Sequence, residues 1–254
     1  MHPWDYFLDW LYLLLRWAHV VAGIAWIGGS FYLIWRAERL APPEPPRAPH
    51  AFKWEAYWTW ITGFALLVAM VYVNAEAYLI DPAVMPLSKP AAIGIGTGSL
   101  IISLAAYEAV CRSPLGRNDV LLGIGLFALA ALFAWGLAQV FSVRGAFIHY
   151  GAILGTLMAG NIAHVIIPGE GRSASAIAQG REPDARDARL ARQRSAHNTY
   201  FTLPVVFAMI SSHHATALGN RWDWAVLAGT TLAGVLLRFG FGRLVQRQRD
   251  VMGP

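Results

Sequence analysis

The chain alternates long apolar stretches with short polar ones. Seven stretches stay mostly apolar for about 20 residues, the length a helix needs to cross a bilayer core of about 30 Å. They run over roughly 8–35, 55–74, 90–111, 120–141, 146–167, 198–216 and 222–240. Glycine and proline inside them are tolerated in this setting, because neighbouring helices re-satisfy any freed backbone groups. The pattern predicts an all-α, polytopic transmembrane helical bundle of about seven spans, forming a single membrane domain over residues 1–254.

The polar stretches set the orientation. Of the 20 Lys and Arg residues, all but four fall in alternate connections. Arg36, Arg39, Arg47 and Lys53 follow the first span, and Arg112 and Arg117 the third. Arg172, Arg181, Arg186, Arg189, Arg192 and Arg194 follow the fifth, and Arg238, Arg243, Arg247 and Arg249 the last. Only Lys89, Arg144 and Arg221 lie on the other side, and Arg16 lies within a span. The positive-inside rule then places the N-terminus outside and the C-terminus in the cytoplasm of a bacterial inner membrane. Two connections are unusual. APPEPPRAPH at 41–50 reads as an extended spacer. Residues 168–197 mix Arg with Asp and Glu and read as a short cytoplasmic helix or mobile loop with solvated charges.

Composition agrees. The 254 residues are 56% hydrophobic and 14% charged, where soluble domains run nearer 25% charged. The net charge of +5 sits in the short connections, which argues for topology and against nucleic acid. One cysteine, Cys111, rules out an intrachain disulfide and any CxxC or CxxCH motif. It reads as a small packing residue.

Ionisable side chains inside spans are costly, about 2.5–3.5 kcal/mol for arginine on insertion scales, and so mark candidate chemistry. Arg16 and His19 lie three apart on the first span, and Gly23 and Trp26 continue that face. The structural alternative is that Arg16 snorkels to the interface while His19 bonds a neighbouring helix. The fifth span carries His149, Asn161 and His164; the sixth opens on His197 and Asn198 and closes on His213 and His214. On an ideal helix His197 and His213 face nearly opposite ways, so they do not serve one site together. His19, His149 and His213 or His214 all fall in the outer half, and imidazoles from facing helices are how bundles hold haem iron. Arg16 and Arg144 are at similar depth and suit haem propionates or an anionic substrate. Zinc or copper would be expected with Cys, Met or carboxylate neighbours.

Several stretches resemble the membrane-bound urate oxidase (urate hydroxylase) family. They are HVVAGIAWIGGSFY at 19–32, FKWEAYWTW at 52–60, NAEAYLIDPAV at 74–84, CRSPLGRN at 111–118, RGAFIHYGAILGT at 144–156, VIIPG at 165–169 and QRSAHNTYFTLPV at 193–205. The resemblance implies oxidation of urate to 5-hydroxyisourate, with electrons leaving through a cytochrome c. It implies histidine at the positions of His19, His149, His197 and His213, and other residues at those of His164 and His214. The family's C-terminal cytochrome c has no counterpart in these residues, so a separate c-type cytochrome is the expected acceptor.

The resulting expectation is a two-electron oxidation in the outer half of the membrane. His19, Arg16 and His149 would be catalytic. His19, His149, His213 and His197 would bind the cofactor, haem b, with iron on His19, His149 or His213. Arg144, Trp26, Tyr57 and Trp58 would contact urate or a similar purine. The partners would be lipid and a separate cytochrome, and a homo-oligomer is allowed. The alternatives are a b-type haem subunit that relays electrons without substrate chemistry, a small-molecule transporter, and an assembly partner of an oxidase. Intramembrane ionisable groups weigh against the last, and the lack of paired broken helices or an inverted repeat against the transporter.

The orientation makes one prediction. Alkaline phosphatase fused after Leu87 should be active, and fused after Leu115 or Arg181 inactive. The reverse pattern would overturn the orientation.

Overall fold

The computed structural model describes residues 3–39, 53–214 and 222–252. The spacer at 41–50 lies outside them. The described residues are helical, with no strand among them. The elements are α1 (Pro3–Arg39), α2 (Lys53–Leu66), α3 (Ala75–Tyr78), α4 (Lys89–Arg112), α5 (Asp119–Ala138), α6 (Val143–Asn161), α7 (Ile167–Ala178), α8 (Ala185–Ser211) and α9 (Asp223–Met252). A π-turn, Leu67–Tyr72, extends α2, and another, Ile162–Ile166, joins α6 to α7. Such turns are rare and frequent at functional sites.

Five segments are long and apolar enough to cross a membrane: Tyr6–Tyr32, Lys89–Arg112, Asp119–Ala138, Val143–Ala178 and Asp223–Arg243, as in a multi-pass membrane protein. They coincide with the first, third, fourth, fifth and seventh expected spans. The expected spans at 55–74 and 198–216 fall on α2 with its π-turn and on the second half of α8. Neither is among the five. α2 opens on Lys53 and Glu55 and carries Thr59 and Thr62, while α8 opens on an arginine-rich half.

The chain folds as two compact units, Met1–Tyr78 with Gly155–Asn198 and Leu79–Leu154 with Thr199–Pro254. In the first, α1 packs along α2. Trp60 Nε1 donates to Thr156 Oγ1 at 3.1 Å, tying α2 to the end of α6. Asn161 Nδ2 donates to Asn198 Oδ1 at 2.8 Å, and Asn198 Nδ2 to the Met158 carbonyl at 3.1 Å, tying α6 to α8. Residues 168–197, expected as a short helix or a mobile loop with solvated charges, complete α7, turn at Gly180 and begin α8, with most of their charged side chains exposed. Arg172 clasps Asp187 through two hydrogen bonds of 2.8 and 2.7 Å and holds its carboxyl below the usual range. Arg194, expected among the solvated charges, is only 2% exposed.

In the second unit α5 packs on α9 and on α4. Both α4 and α5 begin at side-chain caps. Ser88 Oγ accepts from Ala91 N at 3.4 Å, and Asn118 Oδ1 from Val120 N and Leu121 N at 3.0 and 3.1 Å. These caps satisfy amides that the helix itself leaves open. Thr231 Oγ1 donates to the Leu227 carbonyl at 2.7 Å, so Tyr150 must be the donor in its 2.7 Å bond to Thr231. α8 carries Pro204 within its length, and it crosses α9 where Gly234 leaves room. A Cβ on Gly234 would stand 2.9 Å from Pro204 Cδ and 3.2 Å from Leu203 Cβ.

A proline ring cannot swing aside, so Gly234→Ala should cost about 1–3 kcal/mol by overpacking. Thermal unfolding in detergent should show a lowered midpoint. An unchanged midpoint would mean the two helices separate freely.

Candidate functional site

The expected site residues divide between the two units. Arg16, His19, Trp26, Tyr57, Trp58 and His197 belong to the first, and Arg144, His149 and His213 to the second.

In the first unit the site is built on the α1–α2 contact. α1 turns most of its surface outward and buries Trp26, which is 5% exposed. His19 and Gly23 share the face turned to α2: His19 Nδ1 lies 2.9 Å from the Thr59 carbonyl oxygen and 3.3 Å from Thr62 Oγ1. Gly23 stands over the same threonine, since a Cβ there would meet Thr59 Cγ2 at 3.9 Å. His19 therefore does bond a neighbouring helix, as the structural alternative has it, but it does so through Nδ1. An Nδ1–H held by a backbone carbonyl is also the arrangement that presents Nε2 to a metal. The ring is half-buried.

Arg16 is one turn from His19. It is exposed, in the middle third of the apolar segment Tyr6–Tyr32. It has no hydrogen-bond or ion-pair partner among the described residues. On α2, Tyr57 is half-buried with its ring 6.0 Å from that of Trp54, and Trp58 is 54% exposed. Glu55 Oε2 is buried and finds no hydrogen-bond partner among the described residues. His197, at the start of the apolar half of α8, is half-buried.

In the second unit His149 has no accessible surface. Its Nδ1 lies 2.9 Å from the Gly145 carbonyl of its own helix, and its ring centroid 4.9 Å from that of Phe141. This is the environment of a core residue. Arg144 is half-buried on the first turn of α6. His213 is exposed on a short 3-10 turn, Ser212–His214, and His214 and His164 are exposed too. An apolar recess of about 250 Å³ between α4 and α5, lined by Ile95, Ser99, Leu132 and Trp135 among others, contains none of the expected site residues.

No three His, Cys, Asp or Glu side chains converge as metal ligands among the described residues. Haem needs only one or two axial ligands from the protein, and His19 has the donor geometry for one. The residues that sequence reasoning passed over are Thr59, Thr62 and Gly63, which meet His19, and Arg194. Thr59, Thr62 and Gly63 are spaced to share one face of α2, and small polar residues so placed mark close helix contacts in membranes. Arg194 shares a face of α8 with His197 and Asn198, three and four residues on.

The profile of the family described as Urate oxidase N-terminal matches residues 5–44 and 36–252. No curated protein and no solved structure matches. With the family's profile matched over most of its length, the chain belongs to the Urate oxidase N-terminal family.

Proposed function

We propose that the protein is a membrane oxidoreductase that oxidises urate to 5-hydroxyisourate and passes the electrons to a c-type cytochrome in the bacterial inner membrane. The observation that carries the reading is the family match over residues 5–44 and 36–252. The placement of Arg16 and His19 together on α1 supports it.

The reaction adds the hydroxyl of water to the purine ring. From the urate monoanion it releases one proton and two electrons. Urate near neutral pH is a planar anion, which an intramembrane cation can attract and orient. Arg16 suits that role, because a guanidinium gives a fork of hydrogen bonds to a flat oxygen-rich edge. Trp58, exposed on α2, offers an aromatic surface for the ring. His19 would hold haem b through Nε2, its Nδ1–H being fixed on Thr59. When bound, such a group supplies one-electron steps between a two-electron donor and a one-electron acceptor. His149, enclosed and tied to its own helix, serves packing in this reading.

Right-side-out membrane vesicles or detergent-solubilised protein should therefore reduce two ferricytochrome c for each urate consumed, without forming hydrogen peroxide. Peroxide formation with no cytochrome reduction would refute the acceptor.

Arg16→Gln removes a charge-assisted hydrogen bond worth about 1.5–3 kcal/mol. It should raise KM for urate on the order of tenfold or more, with membrane insertion unchanged. His19→Ala should abolish cytochrome reduction. Wild-type kinetics in both variants would show that this face of α1 is not the site.

A further inference from the structure

The contact between His19 and α2 decides which of the two ring nitrogens can act. His19 Nδ1 faces two oxygens, the Thr59 carbonyl at 2.9 Å and Thr62 Oγ1 at 3.3 Å. A carbonyl only accepts. The Thr62 hydroxyl has one proton, and it is directed at the Trp58 carbonyl 2.6 Å away. Thr62 therefore also presents a lone pair to the imidazole. Thr59 is itself fixed, its hydroxyl donating to the Glu55 carbonyl at 2.7 Å. With only acceptors before it, Nδ1 must carry the hydrogen of the neutral ring.

The position of the ring is set by the next residue. A Cβ built on Gly63 would lie 2.7 Å from His19 Cε1, 3.1 Å from Nδ1 and 3.6 Å from Nε2. The first distance is closer than two non-bonded carbons can come, so any side chain at 63 would push the ring off Thr59. Nε2 is the atom farthest from Gly63 of the three.

We propose that Thr59–Gly63 of α2 is a positioning cradle for His19. It fixes the Nδ1–H tautomer, leaves Nε2 as the working nitrogen, and requires glycine at 63 so that the ring can reach the Thr59 carbonyl. The proposal rests on the reading of His19 as the redox-site histidine. It assigns His19 one role, with Nδ1 anchoring the ring and Nε2 as ligand. Thr62 and Gly63 are positioning residues and touch neither substrate nor cofactor.

The test uses the full chain in lipid with ¹⁵N-labelled histidine, before haem or urate is added. Solid-state NMR of wild type and His19→Ala identifies the His19 resonances by difference. A protonated Nδ1 and a bare Nε2 are expected; a bare Nδ1 with a protonated Nε2 would overturn the proposal.

The same spectra of Gly63→Ala should show His19 shifted or in mixed tautomers. In the haem-loaded protein, Gly63→Ala and Thr62→Val should lower haem affinity by about 10–100-fold and move the Soret maximum, while Thr62→Ser restores both. Wild-type tautomer, affinity and Soret position in Gly63→Ala and Thr62→Val would refute the cradle. Because the tautomer is read without haem or urate, its result stands whether or not the redox reading survives.

Discussion

In the hydrocarbon of a bilayer a polar group has no water to turn to, and each one left unbonded costs several kcal/mol. This constraint shapes the molecule at two levels. At the backbone it leaves helices as the economical solution, and the described residues are helical. At the side chains it requires each buried donor to meet a fixed acceptor. Tyr150 meets Thr231, Asn161 meets Asn198, and His19 meets the Thr59 carbonyl. Such bonds locate one helix against another, where greasy contact alone would leave register and rotation loosely specified.

Two neighbouring residues on α1 answer the constraint differently. His19 is satisfied within the protein by α2. Arg16, one turn away, is exposed in the apolar segment with no partner among the described residues. An arginine at that depth is expensive unless an anion accompanies it. The same face of α1 thus combines an anchored imidazole with a cation that an anionic purine would complement. In the proposed function, that pairing is where the redox chemistry would take place.

The architecture was legible in the sequence where hydrophobic length alone decides it. The segments around 90–111, 120–141 and 222–240 appear as α4, α5 and α9. It was less legible where apolar and polar demands mix. The stretch at 55–74 holds Thr59, Thr62 and Glu55, because part of α2 faces α1 and the end of α6. The run at 168–197 forms the end of α7 and the start of α8, joined by Arg172 and Asp187, and most of its charges are exposed. Arg194 is the one that is enclosed, which a count of charges could not show because it carries no burial. For the site, intramembrane cost pointed to Arg16 and His19. It also pointed to His149, which the structure buries beside Phe141. Cost tells which residues need a partner, not whether that partner is a ligand or the core. The cradle at Thr59–Gly63 was hidden for a related reason: its function lies in a carbonyl oxygen and an absent side chain, neither of which stands out in a sequence.

The most direct measurement is the optical spectrum of the purified protein, retained with its cofactors, before and after urate is added in the absence of oxygen. The account predicts a Soret band that moves to its reduced position on urate addition. A Soret band indifferent to urate but reduced by dithionite would contradict substrate chemistry and leave an electron relay. The absence of any Soret band would contradict haem in the bundle.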